Sequence, residues 1–206
     1  MTAAKNTNTA PTTIAPTAAG SFAEAARLLS AVATDAALLA AVDAAGDRIA
    51  ATFRAGGKVL VCGNGGSLCD AAHFAEELPG RFRADRPALP AIAISDAAHI
   101  TCTANDYGFD RIFARGVEAL GRKGDGLILL STSGNSPNIL AAAEAAKARD
   151  IWTLALLGKG GGSLKGRCDH EFILPGSTSD RIQELHMLVL HVLVERVEAG
   201  LGYAKG

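Results

Sequence analysis

The sequence predicts an α/β fold, a five-stranded parallel sheet flanked by helices. Two observations predict it: five short apolar runs alternate with segments of helical periodicity, and glycine or polar turns separate them. Strands that alternate with helices indicate a parallel sheet covered on both faces. The 206 residues suit one domain with a substantial core, and no internal repeat or linker divides the chain.

Two helices are predicted before the first strand. Ser21, followed three residues later by Glu24, forms a capping box, and apolar side chains follow at helical spacing. The second predicted helix runs from about Asp35 to Phe53 and ends before a glycine pair.

Both ends of the chain are predicted to lie outside the folded unit. Residues 1–20 are rich in Thr, Ala, Asn and Pro and lack the bulky apolar segment of a secretory signal, so we expect a disordered tail. We therefore place a single domain over residues 21–200 and a short C-terminal tail over residues 201–206.

The first strand leads into a glycine turn and a helix. Lys58–Cys62 is a short apolar run after two glycines, which favours a strand. Ser67, with Asp70 three residues later, is predicted to cap the helix that follows. On this helix His73 and Glu77 are four residues apart, so they share one face.

The remaining elements follow from the same alternation of patterns. In chain order they are a strand over 90–95, an irregular or short helical stretch over 99–106, a helix over 109–120, a strand over 126–132, a helix over 137–148, a strand over 151–157, a glycine-rich turn over 158–162, a strand over 171–175 and a closing helix over 180–198.

The closing helix is apolar around most of its circumference. Its apolar residues are Ile182, Leu185, Met187, Leu188, Leu190, Val192, Leu193, Val194 and Val197. One side of the sheet cannot bury all of them, so the helix is either central to a large core or shared between subunits. In a chain of this size we favour the second arrangement and expect an oligomer.

Composition and charge argue against several classes of function. The formal net charge is −1 at pH 7, which speaks against nucleic-acid binding. No apolar run reaches the roughly 18 residues that a membrane helix needs. The four cysteines have neither zinc-ribbon nor Cys-x-x-Cys spacing, so we expect free thiols in a reducing cytosol and a cytoplasmic protein.

Three polar turns are candidates for ligand binding at the carboxyl ends of strands. Ser131–Ser136 carries four hydroxyls between a strand and a helix, which suits a phosphate, although a plain turn capped by Ser136 is the alternative. It lacks Gly-Lys-Ser/Thr and is not a nucleotide P-loop. Asn64–Ser67 and Asn105-Asp106 either bind sugar hydroxyls or phosphate oxygens, or are simply turns.

Two helices carry side chains suited to acid–base chemistry or metal binding. The spacing of His73 and Glu77 permits shared metal ligation or an acid–base pair, whereas a solvated helix stripe is the commoner outcome. Gln183 and His191 lie two turns apart on the closing helix, roughly 12 Å along its axis. Only a shared ligand or metal would draw those two side chains together.

Taken together, five segments resemble one family. In chain order they are Gly63–Ser67, His73–Leu78, Asn105–Phe109, Ser131–Ser136 and Asp180–Glu184 followed by His191. This series is similar to that of the bacterial phosphoheptose isomerases, which are sugar-isomerase (SIS) domain proteins acting on sedoheptulose 7-phosphate. The resemblance covers about residues 21–198, and its most specific parts are the His-x-x-x-Glu and Arg-Ile-Gln…His segments.

The resemblance implies an SIS-type three-layer fold, a homotetramer with sites at subunit contacts, and one zinc ion (Zn2+) per subunit. The positions that match metal ligands are His73, Glu77, Gln183 and His191. The positions that match substrate-binding residues are Asn64, Gly65, Gly66, Glu77, Asn105, Asp106, Ser131, Thr132, Ser133, Ser136 and Gln183. Leu68 is a departure, because some relatives carry His there, and Arg81 is a further candidate partner for phosphate or sugar.

The implied activity is an aldose–ketose isomerisation of sedoheptulose 7-phosphate to D-glycero-D-manno-heptose 7-phosphate. In the family this reaction feeds activated heptose to lipopolysaccharide or capsule. Proton transfer through an enediol needs a base within hydrogen-bond reach and a group that stabilises the developing oxyanion. We expect Glu77 to be the base and His191 to exchange a proton with a hydroxyl, although zinc ligation would make Glu77 a poorer base.

Two rival functions are weighed against this one. A non-catalytic replication-initiator-binding protein resembles these isomerases and shares their fold and tetramer, but it needs no acid–base pair, and both Glu77 and His191 are present here. A sugar-phosphate sensor domain would need a flanking DNA-binding segment. The sequence therefore favours an enzyme with a sugar phosphate as partner, and neither nucleic acid nor membrane.

Overall fold

The computed structural model describes residues 17–203 and contains five strands and seven α-helices in that part of the chain. They are α1 (Ala18–Ala33), α2 (Ala36–Arg54), β1 (Val59–Gly63), α3 (Gly66–Glu77), β2 (Ala91–Ala93), α4 (Ala97–Tyr107), α5 (Ile112–Leu120), β3 (Gly126–Ser131), α6 (Pro137–Lys147), β4 (Trp152–Leu157), β5 (His170–Ile173) and α7 (Ser179–Gly200). Short 3₁₀ segments cover Phe109–Arg111 and Lys159–Leu164.

The five strands form one sheet in the order β2-β1-β3-β4-β5, and every neighbouring pair is parallel. This confirms the predicted α/β fold. Gly63 pairs with Leu130 at the end of β1 and β3. The turn after Gly63 and the loop that begins at Ser131 therefore lie side by side at the carboxyl ends of neighbouring strands, which are about 4.8 Å apart.

The central strands are buried on both faces, so they read as continuous apolar runs rather than alternating ones. One face packs on α1, α2, α3 and α7 through Val59, Val61, Ile128, Leu130, Leu154 and Leu156. The other face packs on α5 and α6 through Leu60, Cys62, Leu127, Leu129, Ala155 and Leu157. Each valine, leucine or isoleucine among them contributes about 1.5–3 kcal/mol of burial free energy, and together they hold three layers in place.

Most of the apolar surface of α7 is buried within the chain itself. Six of its nine predicted apolar residues are buried: Ile182, Leu185, Leu190, Leu193, Val194 and Val197. Met187 and Val192 are partly buried against the same core, and Leu188 alone of the nine stays 39% exposed. The helix can be covered so fully because it packs on α2 and α3 as well as on the sheet. The sequence-based argument from α7 to an oligomer therefore does not hold.

The start of α1 differs from the sequence-based prediction. α1 begins at Ala18 because the Thr17 hydroxyl accepts a hydrogen bond from Gly20 N at 3.1 Å, so the predicted capping box at Ser21 is wrong. Residues 18–20, expected in the tail, are the first residues of α1. In the predicted C-terminal tail, 201–206, Leu201 and Tyr203 pack against the core instead. The tail predictions for residues 1–16 and 204–206 lie outside the described residues.

The stretch over 99–106, predicted to be irregular or a short helix, is the regular helix α4, which extends beyond the predicted range at both ends. Asp96 caps α4, and its Oδ1 accepts from His99 N at 2.7 Å. The helix predicted to start at Phe109 opens instead with a 3₁₀ turn after Gly108, whose φ is +89°. All four cysteines, which lie within residues 17–203, are free thiols.

None of the helices in the described part of the chain is, by itself, both long and apolar enough to cross a membrane. The pair α1 and α2 passes that criterion only when its members are taken together, and it is bent by 75° between them.

Candidate active site

The glycine turn after β1 allows α3 to pack closely against α7. A Cβ on Gly66 would lie 2.7 Å from Oε1 of Gln183, so only glycine leaves room for that side chain. Ser67 is not the helix cap that the sequence predicts, because the α3 N-terminus has no side-chain cap. Ser67 is instead buried in the first turn, where its hydroxyl accepts a hydrogen bond from Gln183 Nε2 at 3.3 Å.

Three of the predicted functional side chains converge across these two helices. His73 Nε2 lies 3.2 Å from Glu77 Oε1 on one face of α3, and 3.5 Å from Nε2 of His191 on α7. One ligand atom from each of the three lies within 4.8 Å of the others. The His73 side chain is 46% exposed and that of Glu77 is 16% exposed, so the cluster opens to solvent at the surface of the chain.

The helices α3 and α7 run in the same direction along this seam. Ser67 meets Gln183 near the start of both helices, and His73 meets His191 further along. Gln183 and His191 are two turns apart, about 12 Å at 1.5 Å per residue. The Gln183 amide therefore contacts the N-terminal turn of α3, and its role as a fourth metal ligand stays a prediction.

The loop after α3 fixes the far end of the seam. Arg86 donates to the carbonyl oxygens of Glu77, at 2.6 Å, and of Leu78, at 2.5 Å, and so satisfies the last turn of the helix. Its Nε also donates to Glu198 Oε1 of α7 at 3.0 Å, and both side chains are buried. The ring of Phe82 stacks on the His191 imidazole with centroids 5.8 Å apart.

Asp70 lies one turn before His73 and carries a buried oxygen, Oδ2, without a hydrogen-bond partner within the described residues. Burial raises the pKa of Asp70 to about 6, and the neighbouring His73 acts in the opposite direction. Besides Glu77, a second carboxyl therefore borders the cluster, and this one, Asp70, is protonated more readily than an ordinary aspartate.

The serine loop uses two of its hydroxyls to hold its own shape. Ser131 Oγ accepts from Gly134 N at 3.0 Å, and Ser133 Oγ accepts from Asn135 N at 3.2 Å. Thr132 Oγ1 lies 3.1 Å from Ser179 Oγ at the start of α7. Ser136 precedes α6, but its side chain makes no capping hydrogen bond. Ser136 and Thr132 are thus the hydroxyls best placed to take a ligand.

The predicted substrate residue Asn64 has its side chain already occupied. Its amide pairs reciprocally with that of Asn138 on α6, with both N···O distances at 2.8 Å. Asn138 is buried, so this pair ties the glycine turn to α6. Backbone groups at Asn64 and Gly65 are therefore what the turn offers a ligand.

The Asn105-Asp106 pair stays apart from this cluster in the described hydrogen bonds. Asn105 Nδ2 donates to Asp106 Oδ1 at 2.8 Å, and both residues are exposed in the last turn of α4. Arg81 is exposed on the loop after α3, and Leu68 packs against the core beside α6. His186 is fully buried and points its Nε2 at the carbonyl oxygen of Leu157 at 3.4 Å, so it belongs to the core.

Several residues of the site carry no recognisable sequence signal. Phe82 and Arg86 lie in an irregular loop, and their partners are on α7, more than 100 residues later. Ser67 was assigned a local capping role, because Gln183 is equally remote in sequence. Lys159 and Ser179 are remote from the serine loop in sequence and adjoin it only in the folded structure.

Sequence comparisons identify the family. The family model described as SIS domain matches residues 21–158. A phosphoheptose isomerase of Fusobacterium nucleatum is 63% identical over 151 residues, which is 73% of this chain and 78% of that protein. The phosphoheptose isomerase of Vibrio cholerae is 53% identical over 176 residues, covering 85% of this chain and 92% of that protein.

Solved structures give the same result. The phosphoheptose isomerase of Francisella tularensis superposes with a TM-score of 0.84 at 38% identity, covering 88% of this chain and 96% of that one. The enzyme of Neisseria gonorrhoeae gives a TM-score of 0.80 at 38% identity with the same coverage. The chain therefore belongs to the SIS-domain family and, within it, to the phosphoheptose isomerases, which are aldose–ketose isomerases.

Proposed function

We propose that this enzyme converts sedoheptulose 7-phosphate to D-glycero-D-manno-heptose 7-phosphate. The observation that carries the proposal is the convergence of His73, Glu77 and His191 across the α3–α7 seam. The names of the relatives at 51–63% identity support the same substrate class.

The reaction moves one proton between neighbouring carbons. The Glu77 carboxylate takes a proton from C1 of the open-chain ketose, and the C2 carbonyl oxygen gains a proton, which gives the 1,2-enediol. Glu77 then returns a proton to C2, and loss of the proton on O1 leaves the C1 aldehyde. His191 Nε2 faces the same cluster and would exchange the protons on O1 and O2 while no metal is bound to it, whereas a bound zinc would occupy that nitrogen. The carboxylate has two oxygens, so one remains able to act as base while Oε1 faces His73.

The donor set fits a zinc ion. Two imidazoles and one carboxylate within 4.8 Å of one another form a donor set that zinc takes in catalytic sites, where a fourth position stays open. We assign the zinc to His73, Glu77 and His191, and Gln183 would have to leave Ser67 to join them. When bound, the ion would polarise the sugar carbonyl and stabilise negative charge on its oxygen.

The phosphate of the substrate is assigned to the serine loop. Thr132 and Ser136 offer hydroxyls that the loop itself does not need, and they precede the N-terminus of α6, where the helix dipole favours an anion. Anchoring the remote end of the sugar positions C1 and C2 against the reacting groups.

A coupled assay with sedoheptulose 7-phosphate tests the proposal on the wild type, Glu77→Gln and His191→Gln. We expect turnover in the wild type and a loss on the order of 10²–10⁴-fold in each variant, the usual worth of a general acid or base. Reaction in D₂O should place deuterium on the carbon that is reprotonated. Turnover in none of the three proteins, with folding and assembly retained, would favour the non-catalytic replication-initiator-binding alternative.

The proposal also covers the location of the enzyme, its assembly and the pathway that uses its product. We place the enzyme in the cytoplasm as a homotetramer, and its product at the first step towards activated heptose for lipopolysaccharide or capsule. Light scattering coupled to gel filtration tests the assembly, and a mass near that of one chain would exclude the tetramer. Loss of heptose from surface polysaccharide in a deletion strain tests the pathway.

A further inference from the structure

Lys159 follows directly on β4 and reaches towards the serine loop. Its Nζ lies 3.4 Å from Ser179 Oγ, and Ser179 Oγ lies 3.1 Å from Thr132 Oγ1. An ammonium group and two hydroxyls thus form a row beside the loop assigned to the phosphate. The serine loop itself, Ser131–Ser136, contains no cationic side chain.

The backbone at Lys159 is in an unusual conformation. Its φ is +48°, and only one other non-glycine residue in the described chain, Asp150, has a positive φ. A long side chain in the left-handed region costs free energy, and such residues cluster at functional sites. The following residue, Gly160, also has a positive φ, which glycine adopts without steric cost. A glycine at position 159 would therefore form the same turn more easily than lysine does.

The segment that carries Lys159 is locked onto the serine loop. A Cβ on Gly134 would lie 1.8 Å from Gly161 O, so the two backbones touch. Leu164 N donates to Gly134 O at 2.9 Å, and Ser163 N donates to Asn135 Oδ1 at 2.8 Å. The position of Lys159 is therefore fixed relative to the loop.

The charge of Lys159 is not balanced by a carboxylate. Within residues 17–203 its ammonium group has no acidic oxygen within 4.0 Å. Asp35 borders the same groove, but its carboxylate caps α2 by accepting from Leu38 N at 3.0 Å. The group that Lys159 Nζ contacts is the neutral hydroxyl of Ser179, which in turn contacts that of Thr132, and two hydroxyls together with one cation suit a phosphate dianion.

We propose that Lys159, assisted by the Ser179 hydroxyl, is a binding residue for the phosphate group of the substrate. The inference rests on the proposed function, because it assigns a cation to the subsite of that reaction. Lys159 supplies the charge that the serine loop lacks, and its strained backbone aims the side chain across the loop.

Lys159→Asn tests the assignment, because asparagine tolerates the left-handed conformation while the charge is removed. Lys159→Arg keeps the charge, and Lys165→Gln removes a neighbouring exposed charge on the same segment. We measure the inhibition constant of inorganic phosphate, KM and kcat for sedoheptulose 7-phosphate, and the thermal midpoint. We expect Lys159→Asn to raise KM and the phosphate inhibition constant on the order of 10-fold, with kcat within about twofold and an unchanged or higher midpoint. Lys159→Arg and Lys165→Gln should stay close to the wild type.

The outcomes separate the two proposals. An unchanged phosphate inhibition constant in Lys159→Asn overturns the inference and leaves the isomerase proposal standing. A lower midpoint, with kcat and phosphate affinity lost together, shows a structural lysine and also overturns it. If the wild type does not turn over sedoheptulose 7-phosphate, the proposed function fails. Titration of inorganic phosphate followed by ³¹P NMR then decides the role of Lys159 by itself.

Discussion

Arg86 and Glu198 form an ion pair at 3.0 Å whose side chains are only 2% and 7% exposed. Because Arg86 also donates to the last carbonyls of α3, this one side chain joins the end that carries Glu77 to the helix that carries His191. The same loop makes a second pair with α7, Arg83 with Glu195, which is exposed. Both pairs join the same loop to α7, and they differ in burial, so the exposed pair serves as a control for the buried one.

Arg86→Met should destabilise the protein by about 3–5 kcal/mol, because it leaves Glu198 buried without a partner. Arg83→Met removes the exposed pair and should cost no more than about 1 kcal/mol. Urea denaturation measures both. Equal effects of the two substitutions would mean that the buried pair does not hold the seam together.

Removal of zinc should abolish most of the activity, and zinc alone should restore it. A metal present at 100 times its dissociation constant also stabilises the folded state by about 2.7 kcal/mol, so the thermal midpoint should rise on addition of zinc. His73→Ala removes one of the proposed ligands and should lose this rise. Full activity in a preparation shown to be free of metal would remove zinc from the reaction.

Substitutions in the serine loop should distinguish the hydroxyls that bind the substrate phosphate from those that hold the conformation of the loop. Ser136→Ala should leave stability unchanged and raise KM for the phosphorylated sugar about 10-fold, because its side chain makes no capping bond. Ser131→Ala should instead lower stability by about 1–2 kcal/mol, because Gly134 N loses a buried acceptor. Ser133→Ala, which also loses a turn bond, should raise KM more than it lowers kcat. Steady-state kinetics with thermal melts distinguish the three, and a stability loss in Ser136→Ala would contradict the assignment.

Gly66→Ala should disturb the site with little effect on the fold. The new methyl group displaces the flexible end of Gln183, so we expect a stability change within about 1 kcal/mol. Activity should fall by the same factor as in Gln183→Ala, because both changes remove the same amide from its place. Full activity in Gly66→Ala would show that this amide has no part in the reaction.

His186 should make stability depend on pH below neutrality. Burial lowers the pKa of His186 from 6.5 to about 4, so the unfolded chain binds the additional proton in the interval between these values. The contribution is fully present above pH 6.5 and is lost as the pH falls towards 4, a change of about 3 kcal/mol. His186→Leu should flatten the stability curve between pH 6.5 and 4. Parallel curves for the two proteins would contradict this assignment.

The fold was predictable because its signals are local. The apolar run at Lys58–Cys62 marks β1 to within one residue, and the spacing of His73 and Glu77 places both on one face of α3. The sequence leaves α4 open between a short helix and an irregular stretch, because its cap, Asp96, directly follows the predicted strand and gives no separate start signal. Ser67 was misassigned because a capping pattern is short, and a partner on α7 competes for the same hydroxyl.

The site was only partly predictable because its supports are remote in sequence. Arg86 lies in a loop whose sequence shows neither helical nor strand periodicity. Its buried partner, the carboxylate of Glu198, lies 112 residues later in the chain. The burial of α7 against α2 likewise depends on packing that no local pattern reports, which is why the helix suggested an oligomer. Resemblance to the family named the cluster residues, whereas only coordinates reveal that the Asn64 side chain is already paired.

His73 and His191 are separated by 118 residues, and α7 is the last helix within residues 17–203. Synthesis proceeds from the N-terminus, so a nascent chain holds its first imidazole long before the second emerges from the ribosome. The cluster is thus completed only after α7 has been synthesised. A premature stop codon anywhere before α7 would yield a polypeptide without the cluster, and with the sheet face that α7 covers left bare.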